Sequence, residues 1–215
     1  MEASERQVLA REASNLGVTL SEGQLARLAT YADILRLWNR RVRLLGDRDP
    51  EILVRKHIPD CLALLSVLPD EGPVADIGTG AGLPGLVLAC ARPDLEFWLV
   101  ESRGRRVSFL QDATARIGLD KVQVMGSRAE ELSGDSRLVG RARMVTGRAL
   151  AVEELIACGL PLLGPRGRLA LMQSQKVPVE SLPPAEGRAG LRVVDVREYR
   201  LGTGEARRIV VLERA

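Results

Sequence analysis

The chain has 215 residues, a formal charge of +3, 46% hydrophobic and 27% charged residues, and only 3% aromatics. That suits one α/β domain with an N-terminal extension, or two small domains at most, with enough length to bury a core. No apolar run reaches membrane-spanning length, and the lone histidine with no CxxC pair argues against a zinc site. Cys61, Cys90 and Cys158 lie far apart in apolar surroundings, as buried thiols of a reducing compartment do.

In chain order, MEASERQVLAREAS is helical in character and lacks a signal-peptide pattern. TLSEGQLARLATYADILRLWNR reads as a second helix. Ser21 and Gln24 form a capping-box pair, and Leu25, Leu28, Ala32 and Leu35 share one face. A polar loop with Gly46 and Asp49-Pro50 precedes a helix from about Ile52 to Leu68. From Pro73 the rhythm alternates: VADI, a helix from Leu83, EFWLVE, a helix from about Gly104 to Ile117, VQVMG, ARMVT, a helix near Leu155, and RLALM. Alternating strands and helices predict a mostly parallel sheet covered on both faces. LRVVDVREYRL and EARRIVVLERA, joined by Leu201-Gly-Thr-Gly, predict a terminal antiparallel pair. The predicted organisation is a helical extension over 1–70 and an α/β core over 71–215.

The chemistry concentrates in VADIGTGAGLPG, residues 74–85. Ligands of open parallel sheets bind at the carboxyl ends of the strands, and glycine lets the backbone approach them. Pro84 suits the first turn of the following helix. A phosphate-binding P-loop would need a Gly-Lys-Ser/Thr ending, which is absent. Gly80-Ala-Gly82-Leu-Pro-Gly85 fits a dinucleotide loop. Asp76 with Gly78, Gly80 and Gly82 resembles the S-adenosylmethionine loop of class I methyltransferases. Glu101, ending EFWLVE, supports an adenosine ribose in either ligand without choosing between them.

Six stretches, the glycine loop among them, widen the resemblance: WNRRVRLL, DPEILVRKHIPD, ADIGTGAGLPG, VESRGRRVSFL, GSRAEEL and VTGRALA, in this order. Together they resemble the bacterial small-subunit (16S) rRNA guanine-N7 methyltransferase family, RsmG or GidB, over roughly residues 20–175. The resemblance implies a Rossmann-like class I methyltransferase sheet, mostly parallel with a C-terminal antiparallel strand, preceded by N-terminal helices. It implies S-adenosylmethionine as cofactor, with S-adenosylhomocysteine as product. Gly78 and Leu83 would line the methionine and adenosine portions, Ala129 and Glu130 would flank the adenine, and Arg148 would meet the cofactor or the incoming base. His57 would lie near the pocket, to bind guanine or order the N-terminal helices.

Where amine methyltransferases carry an Asp/Asn-Pro-Pro-aromatic motif, this chain reads Val145-Thr146-Gly147-Arg148-Ala149. Cys158, within an apolar run, is no candidate nucleophile for carbon methylation. Guanine N7 attacks with its own lone pair, so no single catalytic base is expected. Arginine supplies 28 of the 31 basic residues, and its planar fork suits phosphate. Arg40, Arg55, Lys56, Arg105, Arg106 and Arg128 are the candidate RNA contacts, and the scarcity of aromatics favours arginine and shape over a stacking platform. The chain departs from the family at Arg43-Leu44-Leu45, where Asn-Leu-Thr is common, and at Met172-Gln173-Ser174, where Leu-Lys-Gly is common. These departures leave open a related methyltransferase with a different RNA or small-molecule substrate. A non-catalytic, cofactor-binding assembly factor is the other alternative. The expected setting is cytoplasmic, with a small-subunit rRNA or subunit-precursor partner, no membrane and a monomeric chain.

Overall fold

A computed structural model describes residues 1–46, 49–148, 150–176 and 190–215. Two helices open the chain, α1 (Ala3–Asn15) and α2 (Glu22–Asn39). The predicted capping box is formed: Ser21 Oγ accepts from Gln24 N–H at 3.3 Å, and Gln24 Oε1 accepts from Ser21 N–H at 2.7 Å. The next helical run starts earlier than the sequence suggests. Asp49 accepts from Glu51 N–H at 2.9 Å, so Asp49-Pro50 caps and opens α3 (Pro50–Ile52) and is not loop. A π-helical turn (Leu53–His57) follows, then α4 (Ile58–Leu62) and a 3₁₀ turn (Ala63–Ser66). The wider turn shifts the register of side chains around His57 and Asp60.

Among the described residues, seven strands form one sheet: β1 (Val74–Ile77), β2 (Phe97–Val100), β3 (Val122–Met125), β4 (Ala142–Gly147), β5 (Leu163–Ser174), β6 (Leu191–Arg200) and β7 (Ala206–Arg214). Their order is β3-β2-β1-β4-β5-β7-β6. The first five run parallel, and β7 is antiparallel to both β5 and β6. The chain reverses its winding between β1 and β4, and the crevice outside their carboxyl ends is where such sheets bind ligands.

Helices α5 (Gly85–Ala91), α6 (Gly104–Ile117) and α7 (Val152–Gly159) complete the layers. The bounds of α6 match the sequence reading, with Gly118 left-handed at its end. The helix expected from Leu83 begins at Gly85 instead. Leu83 stays in the turn, its N–H bonded to Thr79 O at 3.0 Å, and Pro84 is the N-cap, one position before the first turn. One core joins α1, α2, α4, α5 and α6 to one sheet face, and a second packs α7 on the other. The N-terminal helices are tied to the parallel core by Gln24 Nε2 to Ala91 O (2.7 Å), Arg27 Nε to Cys90 O (2.8 Å) and Tyr31 OH to Ala81 O (2.8 Å). The last bond reaches into the glycine loop, so α2 helps set the site. All three cysteines are buried free thiols, and burial pushes Cys90 up to about 12. Among the described residues, no helix is long and apolar enough to cross a membrane.

Candidate functional site

The loop after β1 turns on three left-handed glycines, Gly78 (φ 69°), Gly80 (φ 58°) and Gly82 (φ 81°). Gly78 and Thr79 N–H groups bond to Val100 O at 3.0 and 3.1 Å, which stitches the loop to β2. The N–H groups of Gly80 and Ala81 make no hydrogen bond among the described residues and remain as donors. Gly82 has a second constraint: a Cβ there would stand 2.7 Å from Leu86 Cβ.

Asp76 lies under this loop, fully buried. Its Oδ2 accepts from Gly85 N–H at 2.7 Å. A Cβ on Gly85 would come within 2.4 Å of Leu99 Cδ2 and 2.7 Å of Asp76 Cβ, so only glycine lets the start of α5 sit on the carboxylate. Asp76 Oδ1 and Thr79 Oγ1 are buried and complete no hydrogen bond. Burial raises the Asp76 carboxyl from its ordinary 3.8 to about 7, against the opposing pull of nearby Thr79 and the Gly85 N–H.

A buried acid with a raised pKa binds more protons folded than unfolded. Its ionisation therefore removes stability as pH climbs from about 4 to about 7, on the order of a few kcal/mol. Asn at this position keeps an acceptor for Gly85 N–H and carries no charge. Asp76→Asn is expected to match wild type in Tm near pH 4 and to exceed it by a growing margin up to pH 8. A gap in Tm that stays flat across that window, in melts followed by circular dichroism, would contradict the buried ionisation.

Glu101, just past β2, is 5% exposed and faces the loop. Its Oε1 accepts from Arg103 N–H at 2.9 Å, and Oε2 lies 3.4 Å from Arg106 Nη1. A Cβ placed on Gly80 would lie 3.5 Å from that same Nη1 and 4.0 Å from Glu101 Oε2, so loop and carboxylate border one space. Arg106, a candidate RNA contact, pairs with Glu101 at 3.4 Å.

Ala129 and Glu130 open a 3₁₀ turn (Ala129–Gly134) after β3, with Glu130 exposed. Glu131, not Glu130, caps it, accepting from Arg128 N–H at 3.2 Å. Cys158 is buried, as its apolar run suggests.

The second half of the site was only partly legible in the sequence, which offers His57 and Arg148 but not Asp60, Tyr199 or Arg207. Asp60, on α4, is 1% exposed and stands at the centre of a hub. Tyr199 OH donates to its Oδ1 at 2.7 Å, and Arg207 donates to both oxygens at 3.2 and 3.3 Å. Arg148, after β4, pairs with Asp60 Oδ2 at 3.2 Å and meets His57 Nδ1 at 3.1 Å. Burial and the adjacent Asp60 push the Tyr199 hydroxyl up, so it stays protonated and donates.

This hub walls a cavity of about 1030 Å³ shared by the π turn, the ends of β4 and β5 and the β6–β7 turn. Ser174, one of the departures, lines it, while Gln173 is paired in register with Arg208 of β7. Lys56 lies at the cavity but is held by Glu205 at 2.8 Å, and together with Thr203 it lowers the Glu205 carboxyl to about 2. Arg55 is likewise spent on Glu51 at 2.9 Å. Arg40, Arg105 and Arg128 are exposed. Arg43 is exposed too, and its neighbours Leu44 and Leu45 donate their N–H groups to Asn39 Oδ1 at 2.8 and 3.0 Å.

A profile described as GidB, rRNA small subunit methyltransferase G, matches residues 24–189. The chain belongs to this family. It is 42% identical over 173 residues to the ribosomal RNA small subunit methyltransferase G of Nocardioides sp., covering 75% of this chain and 68% of that one. It is 34% identical over 216 residues to the protein of that name from Anaeromyxobacter sp., covering both chains fully. The fold is similar to TrmN from Thermus thermophilus (TM-score 0.55, 19% identity, 75% of this chain and 53% of that one). It is also similar to a SAM-dependent methyltransferase from Aquifex aeolicus (TM-score 0.54, 16% identity, 85% and 97%). As a member of the family, the chain is a methyltransferase, and its methyl donor is S-adenosylmethionine.

The residues fit that donor. The loop holds two uncommitted N–H groups and open space at Gly80, bordered by a carboxylate. Asp76 Oδ1 and Thr79 Oγ1, buried and with no well-formed hydrogen bond among the described residues, lie at its base.

Proposed function

We propose that the protein transfers a methyl group from S-adenosylmethionine to N7 of a guanine in small-subunit (16S) rRNA. Small-subunit rRNA as the substrate follows from membership of the family. The observation that best supports N7 is an acceptor cavity whose buried carboxylate, Asp60, is already saturated by Tyr199, Arg207 and Arg148.

The cofactor supplies an electrophilic methyl carbon on a sulfonium, which carries its own leaving group. Glu101 would accept hydrogen bonds from the ribose hydroxyls, and the backbone of residues 78–83 would follow the donor's length. The N–H groups of Gly80 and Ala81 would serve as its donors. Ala129 and Glu130 would flank the adenine through their backbone. Asp76 acts from below by holding Gly85 and with it the start of α5, and so positions the loop.

Guanine N7 loses no proton on methylation, so a site whose one central carboxylate is committed to cations suits it. What remains is alignment and exclusion of water, which supply up to ~7–11 kcal/mol of a barrier in favourable cases. Arg148 is oriented by Asp60 and His57, and its remaining donors match guanine O6. His57 serves as a partner of Arg148, with no proton transfer assigned to it. Arg40, Arg105 and Arg128 would contact phosphates, whereas Arg55, Lys56 and Arg106 would first have to leave carboxylate partners.

We also infer a monomer working in the cytoplasm. Edge strand β6 exposes Val193, Val194 and Val196, but Arg192, Asp195 and Arg197 interrupt them with ion pairs that discourage strand addition. Nucleoside mass analysis of subunits treated with purified protein and cofactor tests the proposal, with 7-methylguanosine as the expected product.

A further inference from the structure

A second concavity, of about 570 Å³, lies where the end of α2 meets the start of α6. Leu37, Trp38, Arg41, Val42 and Arg105 line it. Leu37 is 49% exposed, a large apolar side chain left in water. Trp38 is held in place: its Nε1–H donates to Asp112 at 2.8 Å, and its ring meets Phe109 edge-on at 6.1 Å between centroids. Arg41 and Val42 N–H groups both bond to Trp38 O, at 2.9 and 2.8 Å, which fixes the turn that carries Arg41. Arg105 sits in the first turn of α6, beside the Arg106 that reaches Glu101.

Several surface arginines are neutralised, as in Arg92–Asp94, Arg116–Asp112, Arg137–Asp135 and Arg197–Asp195. Among the described residues, Arg40, Arg41, Arg43 and Arg105 have neither a carboxylate nor a carbonyl partner for their guanidinium groups, as is also true of Arg6, Arg103, Arg128 and Arg166; what sets this patch apart is that its free guanidinium groups border the apolar floor. Uncompensated guanidinium groups beside a rigid apolar floor complement a nucleotide, which offers a flat apolar face and an anionic phosphate. RNA recognition at irregular sites uses such pairings of stacking with phosphate contact.

We propose that this shelf seats one unstacked rRNA nucleotide near the target guanine, its base on Leu37, Trp38 and Val42 and its phosphate between Arg41 and Arg105. The inference rests on the rRNA reading above and adds a specific contact to it. One rigid tryptophan beside an exposed leucine supplies a stacking surface in a chain otherwise poor in aromatics.

Steady-state methyl transfer to under-methylated small subunits, measured across a salt series, tests this. The double variant R41A/R105A is expected to raise KM for subunits at least tenfold and leave KM for S-adenosylmethionine unchanged. The slope of log KM against log salt should fall by about one, for the single phosphate that the two arginines share. Leu37→Ser is expected to raise KM for subunits severalfold at an unchanged slope. A double variant with wild-type KM and slope would overturn the shelf and leave the methyl-transfer reading intact. A raised KM at an unchanged slope would point to a ribosomal protein contact and overturn the RNA assignment. A Leu37→Ser variant with wild-type KM would remove the base from the proposal. Wild-type protein that transfers nothing to subunits would overturn the functional reading itself, and the shelf with it.

Discussion

Asp60→Asn is expected to lower the Tm by roughly 6–12 °C and to cut methyl transfer at saturating cofactor. Asp60 is 1% exposed and is the shared partner of Arg148 and Arg207, which retain 20% and 22% exposure. Removing one member of a buried ion pair costs about 3–5 kcal/mol, and the partial exposure of both arginines puts this case near the lower end. At roughly 2–4 °C per kcal/mol for a chain of this size, the stated shift follows. Tyr199→Phe is the matched control. It removes one hydrogen bond to the same carboxylate, worth about 1 kcal/mol, and leaves both arginines paired. The catalytic effect has a separate cause: without the carboxylate, Arg148 loses the partner that orients it over the cavity. Turnover should fall in Asp60→Asn while KM for S-adenosylmethionine holds, because the glycine loop is untouched. Equal Tm losses in the two variants would refute the hub as an electrostatic unit.

Glu101→Ala is the second large effect. A hydrogen bond to a charged acceptor contributes about 1.5–3 kcal/mol, and each 1.4 kcal/mol is tenfold in affinity. KM for S-adenosylmethionine should rise roughly 10- to 100-fold, with KM for subunits little changed. Glu101→Gln, which keeps one acceptor, should fall between. The same carboxylate holds Arg103 N–H and Arg106 inside the protein, so a Tm comparison separates cofactor loss from loosening of α6. If KM for the cofactor stays within twofold in the alanine variant, the ribose assignment is wrong.

The parts of this fold that could be read in the sequence are those written locally. Ser21 and Gln24 stand three residues apart, and that spacing is the capping box itself. Gly104 and Gly118 bracket α6, and the apolar alternation of the last two strands marks their pairing. The glycine loop and Glu101 were legible because each belongs to one turn. Asp49-Pro50 was misread as loop because the same residues that break a chain also begin a helix. The π turn at Leu53–His57 has no sequence signal, yet it sets the register around His57 and Asp60. The Asp60 hub was hidden for a different reason. Its partners lie 139 and 147 residues away, brought close only when β7 enters the sheet between β5 and β6. Arg106 pairs with a carboxylate five residues before it, a contact that the sequence spacing alone does not disclose.

The most direct test is the identity of the product. Purified protein, S-adenosylmethionine labelled in its methyl group, and small subunits lacking the modification should yield one labelled 7-methylguanosine per rRNA, and none when Glu101 and Gly80 are both altered. A label found on an exocyclic amine, on a ring carbon or on the ribose, or no label in rRNA from an active, cofactor-binding preparation, would contradict the account.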